Sequence, residues 1–398
     1  MWISLLPTLV YFSVALWSFG KSGDEGEPKS LQQNLPADLK SFQTLRVVVL
    51  KGVQAVTIET ASAYQAYDGH GRALYSGNRI MATRVQAKEN GIQIGKQFFK
   101  DVPVTIQSEG LGIKVENRLY RHALTLWPEA DYKLNVVNEL PLEDYLRGVL
   151  PWEASPGWHA EALKAQAVAS RTFALFRALE HREDAYDLSS DTASQVYKGQ
   201  SIENRKTDAA IRATQGEILT YRGKIFPAFF HSTCGAHTAA ADSVWNVQSH
   251  PALQGVACRF CKDSKHYFWS ADFSTEAMRA ALGAHGIPVS NIKAIDVETR
   301  DRAGRALTYR IRAGNLEKKI LASDFRLWLD PARFKSTLID AIHAQGDTFT
   351  FQGRGWGHGV GMCQYGMKRL AELGYSYHQI LDYYYPGAQI INTAKWDS

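Results

Sequence analysis

The sequence predicts an α+β fold, with mixed sheets around a catalytic helical segment, as one large domain or two closely packed ones. Three observations point there. Between residues 45 and 137 the stretches RVVVL, AVTIET, IQIG, VPVTIQ, GIKVEN and YKLNVV alternate or run β-branched, separated by Gly, Asn and Asp clusters. A long run from about His159 to Glu180 is rich in Ala, Leu and Glu, the strong helix formers. Strand-like patterns then return at 216–230, 293–320 and 349–352. At 398 residues the chain has room for either arrangement of domains.

Composition narrows the class. Apolar content of 45% and charged content of 21% describe an ordinary globular protein. The net charge of +5 is spread along the chain, which is compatible with an anionic polymer as partner. There is no basic stripe interleaved with aromatics, so nucleic acid is not an expected partner.

The elements follow in order. Residues 2–19, WISLLPTLVYFSVALWSF, form an uncharged apolar run, so 1–20 reads as a signal peptide or a single membrane anchor. Either way the remainder is expected to be exported, touching a membrane only through this segment. Residues 21–44, with KSGDEGEPKS, read as an exposed linker. The β-rich unit spans 45–137, and the region 138–392 carries the chemistry.

Within that region Leu142 to Leu150 is a short amphipathic element closed by Pro151, which disfavours helix at the residue before it. Glu153 then falls in a short loop between Trp152 and Ala154. On the following helix, Ala162, Ala165 and Ala169 leave room for a close neighbour, and Lys164, Gln166 and Arg171 are its polar residues. The 187–199 segment DLSSDTASQVYKG is a polar loop containing Gln195 and Tyr197. Residues 204–212 read as a helix, and 302–304 as a turn between strands.

The stretch EDYLRGVLPWE, followed by WHAEALKAQAVASRTFA, resembles the SpoIID family of sporulation-type lytic transglycosylases, which cut bacterial cell-wall glycan. The resemblance continues through the T-x-x-Q-x-Y-x-G pattern of the 187–199 loop, HSTCGAHT at 231–238, GRGWGHGVGMCQYGM at 353–367 and the YYYPGAQI tail. It implies that Glu153 and Arg171 are the catalytic pair and that the partner is the peptidoglycan glycan strand. Some relatives enhance wall amidases, so a non-catalytic glycan-binding protein acting with an amidase is the competing reading.

Four cysteines occur: Cys234, Cys258, Cys261 and Cys363. His231-x-x-Cys234 followed by Cys258-x-x-Cys261 has the ligand types and spacings of a zinc knuckle. Four protein ligands close such a site, so the zinc would be structural. His237 competes with His231 for the fourth position. A Cys258–Cys261 disulfide is the alternative in an oxidising compartment. Cys363 reads as a lone thiol.

In the last block Gly353, Gly355, Gly357, Gly359 and Gly361 alternate with other residues. No G-K-[ST] follows, so this is not a phosphate loop. The spacing predicts an extended segment presenting Arg354, Trp356 and His358 on one face, where a sugar ring can stack, with Gln364 and Tyr365 as further polar candidates.

One carboxylate stands out, whereas ordinary glycoside hydrolases use two. A lytic transglycosylase needs only one, because the attacking oxygen is the substrate's own muramic 6-hydroxyl. Glu153 would need a pKa raised by apolar neighbours such as Trp152, and a nearby Arg171 would oppose that.

Overall fold

The computed structural model describes residues 28–36, 44–100, 102–191 and 194–393. The apolar run at 2–19 and most of the 21–44 segment lie outside them. Among the described residues no helix is long and apolar enough to cross a membrane. The architecture is α+β, as the patterning predicts.

The β-rich unit forms two sheets. Seven strands run in the order Leu188–Ser189, Thr44–Val53, Lys133–Pro141, Ala123–Glu129, Val104–Ser108, Tyr64–Tyr67, Ala73–Gly77. The other six are Arg118–Tyr120, Ile113–Val115, Ala55–Thr60, Ile80–Lys88, Gly91–Ile94 and Gln97–Phe99. Alternation sets the buried face: in AVTIET it is Val56, Ile58 and Thr60 that are buried. The 187–199 loop joins this unit through Leu188, paired parallel to Val47.

At Pro141 the central strand turns directly into α1 (Leu142–Arg147), followed by α2 (Leu150–Glu153) and α3 (Ala160–Glu180). Here the sequence reading needs correction. Glu153 ends a helical turn rather than sitting in a loop. Pro151 does not close an element; it occupies the first turn of a new one, where its missing N–H costs nothing. The long helix starts at its predicted place, with the His159 side chain accepting from the Glu161 N–H. It is buried on most sides, with Ala162, Ala165 and Ala169 fully enclosed.

A four-stranded sheet of Gln33–Asn34, Lys224–Ile225, Glu217–Tyr221 and Gln389–Asn392 brings the two ends of the described chain together. Residues 28–36, expected within an exposed linker, therefore pack on the body, and Leu31 is buried. One continuous core runs from Leu31 to Tyr385. A second core, from Trp269 to Phe351, belongs to a unit inserted in the chain. Its strands Ile292–Arg300, Ala306–Ala313 and Leu316–Leu321 match the predicted alternation. Its helices Thr275–Ala284 and Ala322–Leu329 escaped the sequence reading.

Candidate active site

Glu153 ends α2 with only 3% of its surface exposed. The Gln364 amide Nε2 lies 3.0 Å from the Glu153 carbonyl and 3.4 Å from its carboxylate Oε2. The same amide is 3.4 Å from Gln166 Oε1, and Gln166 Nε2 donates to the Ser170 hydroxyl at 3.1 Å. Gln195 donates to the Ser170 carbonyl and accepts from the Tyr145 hydroxyl at 3.1 Å. Burial, and then the charge of Glu153, push the Tyr145 phenol well above its ordinary value. A chain of buried amides and hydroxyls thus leads from three sequence-distant segments to one carboxylate. The other buried carboxylates, Asp68, Asp187 and Asp208, are held by Arg72, Arg46 and Arg147. Those are braces, whereas Glu153 accepts from the Gln364 side-chain amide.

Arg171, expected as the catalytic partner of Glu153, is engaged elsewhere. It is 1% exposed, and Nε and Nη2 grip the two Glu143 oxygens at 2.8 Å each. Its other N–H groups go to the Glu217 and Ile211 carbonyls and the Thr214 hydroxyl. That uses all five donors and fixes α1, α3 and the neighbouring strand to one another.

A run of aromatic residues starts at the neighbour of Gln364. Tyr365, next in sequence to Gln364, meets Trp158 edge-on at 5.7 Å and His266 at 6.5 Å. His266 abuts Trp356 at 4.2 Å, and Lys335 Nζ lies 5.4 Å over the Trp356 ring. On the Trp152 side, Lys198 Nζ is 5.1 Å from the indole centroid. Trp158, His266 and Lys335 were missed because nothing local marks them; only folding aligns them with Tyr365 and Trp356. Tyr197 is buried against Tyr120 and Tyr145, its hydroxyl donating to Asn138, so it packs behind the site rather than lining it.

The glycine-rich segment departs from the predicted extended strand. Gly355, Gly357, Gly359 and Gly361 all have positive φ, between 71° and 112°. The intervening side chains therefore do not share a face. Trp356 joins His266 and Lys335. Arg354 instead clasps Asp340 with two nitrogens, and His358 gives both ring nitrogens to the backbone, donating to Phe230 O and accepting from Val360 N. The glycines permit close contact: a Cβ at Gly361 would stand 2.0 Å from the Phe229 carbonyl.

That contact sets up a second centre. Phe230–His231 pairs parallel with Met362–Cys363, so Cys363 arrives beside Cys234, whose N–H lies 3.3 Å from its sulfur. The sulfurs of Cys234, Cys258, Cys261 and Cys363 all lie within 4.8 Å of one another, buried, and none forms a disulfide. Thiolates about 2.3 Å from a tetrahedral metal stand roughly 3.8 Å apart, so this donor set fits a metal ion and leaves no open position. The fourth member is thus Cys363, not a lone thiol, and neither His231 nor His237 belongs to the cluster. His231 Nδ1 donates to the Val360 carbonyl at 3.0 Å, leaving Nε2 buried without a hydrogen-bond partner. Burial, then Arg305, hold His231 down at about 3. His237 Nδ1 donates to the Thr238 carbonyl. Hydrogen bonds from Cys234 lower the Cys258 and Cys261 thiols, while burial raises Cys234 and Cys363.

A cleft of about 690 Å³ along Lys51, Arg177, Asp187 and Ser190 contains none of the residues predicted to act. The chemistry points to Glu153 instead.

The SpoIID family profile, described as Stage II sporulation protein, matches residues 130–221. A domain of unknown function, DUF8618, matches 258–361, which takes in the inserted unit. Stage II sporulation protein D of Bacillus subtilis is 33% identical over 271 residues, covering 64% of this chain and 75% of that protein. An uncharacterized protein of Brachyspira hyodysenteriae is 33% identical over 309 residues, covering 73% of this chain and 82% of its own. The amidase enhancer of Bacillus subtilis is 30% identical over 292 residues, covering 62% of this chain but only 40% of that protein.

Proposed function

This chain belongs to the SpoIID family, and from that premise we propose that it is an exported lytic transglycosylase acting on peptidoglycan glycan strands. The bond cut is that between N-acetylmuramic acid and N-acetylglucosamine. Glu153 first gives its proton to the glycosidic oxygen as the C1–O bond breaks. The muramic 6-hydroxyl then bonds to C1, and the Glu153 carboxylate takes that hydroxyl's proton, leaving a 1,6-anhydromuramoyl end. No second carboxylate is required.

The observation that supports this most directly is the buried Glu153 carboxylate held by Gln364 and backed by Gln166. The cluster of Trp158, Tyr365, His266, Lys335 and Trp356, which starts at the residue next to Gln364, would offer aromatic edges and one cationic donor for the sugar rings. The four cysteines hold a structural zinc: with every coordination position filled by thiolate, the ion has no place to activate water.

A second reading rests on the likeness to the amidase enhancer, namely that the chain binds glycan and stimulates a wall amidase without cutting it. Purified glycan strands separate the two. Wild-type protein alone should release anhydromuramoyl products, and Glu153→Gln should release none while melting like wild type. Turnover retained in Glu153→Gln removes it from the acid role. If wild type cuts nothing but accelerates an added amidase, the second reading holds.

A further inference from the structure

The inserted unit places two guanidinium groups in the protein interior, one of them against the cysteine cluster. Arg305, at the turn between strands Ile292–Arg300 and Ala306–Ala313, is 1% exposed. Its Nη2 donates to the Cys234 carbonyl at 2.6 Å, while Nε and Nη1 have no hydrogen-bond partner. Asp301 accepts from the Arg305 backbone N–H at 2.8 Å and favours the guanidinium's charge without forming an ion pair with it. Arg326 is 5% exposed, donates once to the Lys335 carbonyl, and leaves Nη2 without a partner. Among the described residues neither guanidinium has a carboxylate within 4.0 Å.

The chain has made room for this arrangement. A Cβ at Gly359 would fall 2.5 Å from the Arg305 Cζ, so the glycine leaves the space that the guanidinium fills. A buried cation without a counter-charge costs several kcal/mol. Four protonated thiols cannot offset it. A divalent ion held by four thiolates carries a net charge of minus two, which does offset it. Against its burial, the Cys234 sulfur, then Asp301, then the Cys363 and Cys261 sulfurs favour the charged form of Arg305.

We infer that Arg305 is the built-in counter-charge of a dianionic tetrathiolate metal centre. Arg305 stabilises the loaded site and destabilises the empty one. Because Arg305 comes from the inserted unit and all four cysteines belong to the body's core, metal loading also fastens the two together. This inference rests on the reading that the cluster takes zinc, and the experiment separates the two.

Zinc is titrated into the reduced full-length chain against a chromophoric chelator, for wild type, Arg305→Gln, Arg305→Lys and Arg326→Gln. Arg305→Gln keeps a donor for the Cys234 carbonyl but loses the charge. Its zinc affinity should fall by about 10–100-fold, the range for losing a residue that supports metal ligands. Arg305→Lys should recover most of that loss, and Arg326→Gln should show a smaller loss. Melting supplies the second readout. Arg305→Gln should melt below wild type when loaded with zinc, and at or above wild type when metal-free. Should Arg305→Gln not fold, Arg305→Lys carries the test: zinc affinity within a few-fold of wild type supports the charge role, and a loss of about 10–100-fold overturns it. If wild type binds no zinc, the metal reading and the inference both fall. If wild type binds zinc and Arg305→Gln binds it equally well, or is equally destabilised with and without zinc, only the role of Arg305 falls.

Discussion

Replacing Arg171 with Met tests whether that arginine braces the fold or takes part in the reaction. All five of its N–H groups are bonded, two of them to Glu143, whose Oε1 also accepts from the Gly216 N–H at 3.2 Å. The substitution strips the carboxylate and the Ile211 and Glu217 carbonyls of their donor at once. Breaking a buried ion pair by removing one partner costs about 3–5 kcal/mol. The Glu143 side chain is 30% exposed, so water recovers part of the loss and the lower end, about 3 kcal/mol, applies. At roughly 2–4 °C per kcal/mol for a body of this size, the melting temperature should drop by about 6–12 °C. Anhydromuramoyl product release, normalised to folded protein, should stay within about threefold of wild type, because the guanidinium already faces Glu143. Calorimetry and cleavage run on one preparation decide it. A variant that melts like wild type yet releases no product would mean that Arg171 reaches the reacting atoms, and the bracing role would be wrong.

Cys363→Ser should abolish tight zinc binding, whereas His231→Ala should keep one zinc per chain; metal analysis of the two variants distinguishes a thiol from an imidazole as the fourth ligand. Stability should also fall in acid. Burial holds His231 at about 3, and His250 and His266 at about 4, below the ordinary 6.5. The unfolded chain therefore takes up protons first, and the stability present above pH 6.5 is lost as pH falls toward those values. Between pH 7 and 5 this amounts to about 1–2 kcal/mol per histidine. Zinc release in acid would act in the same direction, so melting is followed on the metal-free chain; a flat profile from pH 7 to 5 would contradict these histidine environments.

Local signals read well and tertiary ones did not. The strands of the β-rich unit and helix α3 follow from alternation and from alanine spacing, which report directly on burial. The error at Glu153 came from applying one property of proline, its effect on the residue before it, where another governed: Pro151 is well suited to a first helical turn. The error in the glycine-rich block came from counting residues as a strand would, when four positive φ angles turn Arg354, Trp356 and His358 in different directions. Cys363 looks solitary in the sequence because its contact with Cys234 runs through a parallel pair that brings together residues 230–231 and 362–363. No spacing rule reaches that far. Arg171 was assigned by resemblance, and only its Glu143 contact showed where its charge is used.

The two centres meet at consecutive residues. Cys363 turns its sulfur into the cysteine cluster, and Gln364, the first residue of the next helix, turns its amide to Glu153. A metal that fixes the Cys363 sulfur therefore fixes the backbone from which Gln364 projects. Catalytic groups are sensitive to displacements of about 1 Å, even when the cause lies away from the chemistry. Tyr365 follows directly, its N–H donating to the Ser232 carbonyl at 3.1 Å, on the same segment that carries His231 and Cys234. The cysteine centre needs no chemistry of its own to matter for Glu153. It acts by holding one short stretch, residues 363–365, in register with the segment 231–234, and that register sets the distance between an amide and a carboxylate.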